Sequence, residues 1–82
     1  MTPGELEAAL RAAFPGADVA VKDLTGTQDH YQARIVAAAF AGKTRIQQHR
    51  QVYAALGDAM KGPVHALALE TYAPEDWARK GR

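Results

Sequence analysis

Residues 18–40 read DVAVKDLTGTQDHYQARIVAAAF, and the alternation within them decides the fold. Val19 and Val21 share one parity of a short strand over Asp18 to Asp23. Leu24 to Asp29 is rich in turn formers, with Thr25, Gly26 and Thr27 at its centre. Residues 30–40 resume the alternation. Tyr31, Ala33 and Ile35 fall on one parity, and His30, Gln32 and Arg34 on the other. Successive side chains of a strand point to opposite faces, so the first set is directed to a core and the second to water. Two such strands across one turn form an antiparallel hairpin.

The hairpin is flanked by helical patterns. Thr2-Pro3-Gly4-Glu5 is a capping box with proline at the first helical position. Leu6, Leu10, Ala13 and Phe14 then define a buried stripe, and Pro15-Gly16 ends the helix. After Gly42, Thr44-Arg45-Ile46-Gln47 forms a second capping box. A long helix is expected from there to about Met60, with Ile46, His49, Tyr53, Leu56 and Met60 as its apolar stripe and Gly62-Pro63 as its stop. Val64 to Tyr72 reads as a third strand with Leu67 and Leu69 on one parity. Pro74 opens a last short helix whose Glu75 and Asp76 suit the positive end of its dipole. The order αββαβα predicts one small α+β domain over residues 1–82. Its three-stranded mixed sheet is covered by helices mainly on one face.

Composition excludes several functions. The chain has 82 residues, a net charge of +1 and no cysteine. Near-neutral charge points neither to a strong nucleic-acid binder nor to an acidic tail. Without cysteine there are no disulfides and no cluster held by this chain's own thiolates. The start, MTPGELEAAL, carries two acidic residues and no basic segment, so it is not expected to be a signal peptide. No apolar run reaches the roughly 18 residues that span a membrane, and a cytoplasmic protein is expected. Gly42-Lys43-Thr44 has the ending of a phosphate-binding P-loop, but the glycine required five residues earlier is Ala37. Serine is absent as well, so the common nucleophiles are missing, and the carboxylates are scattered. Catalysis is not expected.

Three histidines and one basic cluster remain. His49 lies on the expected helix stripe and reads as a packed residue bonded to a carbonyl. His30 opens the second strand beside the turn-rich loop. His65 opens the third strand, directly after Gly62-Pro63-Val64. Taken alone, His30 reads first as a solvated loop residue and His65 as a structural strand-edge residue, with metal ligation as the alternative for each. No HxxxH or HxH pair permits local chelation. Lys43, Arg45, His49 and Arg50 crowd the first turns of the long helix, where they form either a solvated face or a phosphate grip. The G-x-x-G clamp of an RNA-binding KH domain is missing.

Five pieces together resemble one family, the BolA-like proteins. They are Tyr31 after the loop, F-x-G at 40–42, Q-H-R-x-V-Y at 48–53, V-H-A-L at 64–67 and T-x-x-P-x-x-W at 71–77, and the likeness runs over about residues 4–79. It implies a KH-like domain with a helix-turn-helix-like element. It also implies a non-enzymatic adaptor that pairs with a monothiol glutaredoxin and shares a bridged 2Fe-2S cluster, in cluster delivery or iron signalling. The implied ligands are the histidine of the V-H-A motif, His65, and a histidine or cysteine of the loop between the first two strands. Thr27 stands about where some members carry the thiol, and His30 is the imidazole near that loop. A chain without cysteine supplies only part of a cluster's ligand set. The rest is expected from the partner's thiolate and a bound thiol such as glutathione. Some members are DNA-binding transcription regulators, which gives the rival reading: weak, unspecific DNA binding through Lys43, Arg45 and Arg50. A plain interaction module without metal is the third. Free, the protein is expected to be a monomer or a weak homodimer.

Overall fold

The computed structural model describes residues 2–23, 30–57 and 66–80, with backbone alone for His30 and Ala66. The chain runs α1 (Pro3–Ala13), β1 (Asp18–Asp23), β2 (His30–Val36), a 3-10 turn (Ala38–Phe40), α2 (Arg45–Leu56), β3 (Ala66–Tyr72) and α3 (Pro74–Lys80). The expected αββαβα order is present.

Both capping boxes form. Thr2 Oγ1 accepts from the Glu5 N–H at 3.1 Å, and Glu5 Oε1 accepts from the Thr2 N–H at 2.8 Å. The hydrogen bonds from Thr2 hold the Glu5 carboxyl below its ordinary pKa. Thr44 and Gln47 repeat the exchange at 2.9 and 3.2 Å. Each cap satisfies helix N–H groups that have no intrahelical acceptor, at about 1 kcal/mol.

The sheet order is β1-β2-β3. β1 and β2 are antiparallel, from Asp18↔Val36 to Asp23↔Tyr31. β2 and β3 are parallel, from His30↔Ala66 to Val36↔Tyr72. The sheet is therefore mixed, as expected. Tyr31, Ala33 and Ile35 are fully buried and Val19 nearly so. They pack with Leu6 and Leu10 of α1, Phe14 at its C-cap, Phe40, and Val52 and Leu56 of α2. The Phe14 and Phe40 rings meet at 5.2 Å. Trp77 of α3 joins Ala20, Gln32, Arg34 and Glu70 on the opposite sheet face.

Four expectations are corrected. The second strand ends at Val36, not Phe40: Ala37 N–H makes the last ladder bond, to Tyr72 O at 3.0 Å, and the next three residues turn Phe40 into the core. Ala13 of the α1 stripe is exposed. The long helix stops at Leu56, because Gly57 takes φ 53°, which suits glycine, and its N–H bonds Tyr53 O. The rest of that expectation, Met60 and Gly62-Pro63, lies outside the described residues, as does the Val64 start of the third strand.

The fourth correction concerns the buried face of α2. The core-facing residues are Gln48, Val52 and Leu56, while Ile46 is 66% and Tyr53 41% exposed. A polar side chain occupies the first core-facing turn because three polar groups await it there, as described below. At about 100° per residue, Ile46 and Tyr53 then fall on a flank of the helix.

Candidate functional site

Of the two singled-out histidines, the backbone of His30 is placed at one end of the sheet. His30 is the first residue of β2, and the parallel register pairs it with Ala66, the residue after His65 in the chain. His65 and the 24–29 loop, Thr27 included, lie outside the described residues. Among the described residues no three His, Asp or Glu side chains come together as a metal-holding group. No helix among them is long and apolar enough to cross a membrane.

The start of α2 is built around Gln48, a polar residue whose burial no periodicity announced. Its Nε2 donates to Phe40 O and to Lys43 O, each at 3.1 Å. Its Oε1 accepts from Thr71 Oγ1 of β3 at 2.7 Å. One amide therefore ties the 3-10 turn, the loop before α2 and β3 together. The contacts satisfy the buried Gln48 amide and the buried Thr71 hydroxyl, which would be costly to leave unpaired.

This anchoring separates the expected basic trio. Lys43 and Arg50 line a shallow open groove with Gln47, Gln51 and Ala54. Arg45 instead lies with Lys80 of α3 beside Leu69, Glu70, Thr71 and Tyr72 of β3. His49 is half-buried, and its Nε2 has no hydrogen-bond partner among the described residues. The expected carbonyl bond is thus not made there by that nitrogen. Desolvation, with the positive charge of Arg45, pushes the His49 pKa below its usual value. The imidazole is neutral at neutral pH.

A third cluster covers the opposite sheet face. The Arg34 guanidinium stacks 4.7 Å from the Trp77 ring centre and reaches Asp18 at 3.4 Å. Tyr72 packs on Trp77 at 5.2 Å, with Lys80 Nζ 5.6 Å over the Tyr72 ring. Gln32 donates to Glu70 at 2.8 Å, and Glu70 also accepts from Tyr72 OH at 3.1 Å. Gln32, Arg34, Glu70, Trp77 and Lys80 border a cleft of about 300 Å³. The strand alternation shows that Gln32 and Arg34 face outward, but nothing in the sequence showed that α3 would close over them.

The sequence profile of the BolA-like protein family matches residues 10–76. BolA-like protein 1 of Homo sapiens is 40% identical over 52 residues, which are 63% of this chain and 38% of that protein. The match thus spans well under half of that longer relative. The DNA-binding transcriptional regulator BolA of Escherichia coli is 33% identical over 79 residues, with 88% of this chain and 75% of that protein covered. Among solved structures, a bolA protein homologue from Coxiella burnetii superposes with a TM-score of 0.84 at 29% identity, covering 96% of this chain and 99% of that one. The BolA domain of SufE1 from Arabidopsis thaliana gives 0.82 at 26% identity, covering 90% and 93%. Yeast Fra2 gives 0.80 at 25%, covering 96% and 86%.

Proposed function

The chain belongs to the BolA-like protein family, and from that premise we propose that it is an adaptor which pairs with a monothiol glutaredoxin and co-ligates a bridged 2Fe-2S cluster through His65 and His30. As a member of this family it is not an enzyme. We take residues 1–82 as one such domain, acting in the cytoplasm. The observation that carries the reading is the register His30↔Ala66, which brings the start of β2 beside the residue that follows His65. The likeness to Fra2 and to the SufE1 domain supports it.

The donor set fits a shared cluster and not a private one. With no cysteine in the chain, the imidazoles of His30 and His65 would be this chain's share of the ligands. The cluster, as cargo, stores an electron and is passed on. Imidazole in place of thiolate on one iron raises its reduction potential. Neutral imidazole is the ligating form, so protonation near neutral pH favours release. The thiolate and the glutathione sulfur come from the partner side.

The test is co-expression with a monothiol glutaredoxin, anaerobic purification and a visible absorption spectrum. A co-eluting complex with a 2Fe-2S charge-transfer spectrum is expected. In the same complex, His30→Ala is expected to shift the spectrum or shorten the cluster's lifetime without unfolding the chain. An unchanged spectrum and lifetime would remove His30 from the ligand set.

The second reading, DNA binding, is favoured by the Escherichia coli relative and by the Lys43 and Arg50 groove. With Arg45 turned to β3, two cations remain there to meet phosphates. Affinity is expected to be weak and to fall with salt with a log–log slope of about −2. Arg50→Ala should lower that slope by about one. Tight preference for one duplex sequence at physiological salt would make this the leading function.

A further inference from the structure

Among the described residues, the sheet has a side chain across one of its edges and nothing paired to the other. In a parallel ladder a residue's N–H and C=O point to the same side, and the side alternates along the strand. Ala37 N–H bonds Tyr72 O, so Tyr72, Glu70 and Ala68 face β2. Leu67, Leu69 and Thr71 therefore turn their backbone groups away from the sheet. The same alternation carried across β2 turns Val19 of β1 outward, and there Arg11 of α1 donates to Val19 O at 3.3 Å. A cation thus lies across the β1 edge. Among the described residues none takes the outward groups of Leu67 or Leu69.

The surroundings of this open edge are selective. A cleft of about 260 Å³ runs along Leu69, Glu70, Thr71 and Tyr72, walled by Arg45 and Lys80. Neither cation has an ion pair among the described residues. Glu70, the carboxylate in the cleft, is already held by Gln32 and Tyr72. Leu67 and Leu69 are only partly buried. On α2, exposed Ile46 and Tyr53 follow Arg45 within a sector of about 100°. Thr71 is 3% exposed, so an incoming chain meets Leu67 and Leu69 first.

We propose that β3 accepts an added strand from a partner protein: an extended segment with apolar residues at alternate positions and acidic residues at the end nearest Tyr72. The backbone groups of Leu67 and Leu69 would extend the ladder. The alternate apolar side chains would cover the two leucines, Ile46 and Tyr53, and the carboxylates would meet Arg45 and Lys80. An unpaired edge strand invites this mode of association, and Arg11 withholds it from β1. Neither His30 nor His65 is involved, so the proposal stands apart from cluster binding.

The test is amide hydrogen exchange by NMR on the full chain, with two synthetic peptides of alternating valine and threonine. One carries two glutamates at its N-terminal end, the other at its C-terminal end, and the better binder gives the strand direction. At saturating peptide, the Leu67 and Leu69 amides are expected to slow by about tenfold or more, while Ala68 and Glu70, already in the ladder, keep their rates. Arg45→Glu with Lys80→Glu is expected to weaken binding about tenfold, as two exposed ion pairs become repulsions. Three results would overturn the proposal: no alternating protection with either peptide; shifts confined to Lys43, Gln47 and Arg50; or the same protection appearing without peptide as concentration rises, which would make a second copy of the chain the occupant.

Discussion

His65→Ala is expected to leave the free domain folded and to make the glutaredoxin-bridged cluster labile, with loss faster by on the order of a hundredfold. The fold should survive because the core among the described residues is assembled from residues of α1, β1, β2 and α2 with Phe14 and Phe40. The cluster should not, because one iron loses a ligand that this cysteine-free chain has no thiolate to replace. His65→Cys separates ligation from packing. A thiolate still binds iron, so a cluster forms, but the added negative charge lowers its reduction potential by about 100 mV or more. Potentiometry and visible spectra of the two complexes decide the matter. If both variants keep the wild-type spectrum and potential, His65 is not a ligand.

The second large effect is on stability. Gln48→Leu keeps much of the side-chain volume but removes all three hydrogen bonds of the buried amide. It strands the Thr71 hydroxyl, while Phe40 O keeps the Lys43 N–H at 3.2 Å and Lys43 O finds water. One orphaned buried hydroxyl and the lost amide bonds cost about 2 kcal/mol together. In a domain of this size that lowers the melting temperature by roughly 10 °C. Adding Thr71→Val removes the stranded hydroxyl and should return about 1 kcal/mol, a coupling readable from a double-mutant cycle. Thermal unfolding of the four proteins measures it. A loss below about 1 kcal/mol in the single variant would mean that this amide does not hold the turn, the loop and β3 together.

What was legible in the sequence was local. The parity of Tyr31, Ala33 and Ile35 predicts which face of β2 is buried, because alternation follows from strand geometry alone. Thr2 with Glu5, and Thr44 with Gln47, announce helix starts because each cap is made by residues three apart. The rotation of α2 was not legible. Ile46, His49 and Tyr53 have the spacing of a buried stripe, but Gln48 faces inward because Phe40 O, Lys43 O and Thr71 Oγ1 surround it. That demand comes from another strand and a preceding turn. The separation of Arg45 from Lys43 and Arg50 follows from the same rotation, so a basic run in sequence becomes two sites in space. Of the candidate site, His30 and His65 stood out as residue types at strand starts. That β2, which His30 opens, starts beside Ala66, the residue after His65 in the chain, emerges only from the parallel pairing of β2 with β3.

The most direct test of the account is pulsed electron paramagnetic resonance on the reduced glutaredoxin complex, with this chain uniformly labelled with nitrogen-15 and the glutaredoxin unlabelled. Iron-bound imidazoles from this chain predict strongly coupled nitrogen-15 signals on the cluster, of which the His65 contribution is lost on His65→Cys while the cluster and the His30 contribution persist. A cluster-bearing complex with no strongly coupled nitrogen-15 nucleus would contradict it.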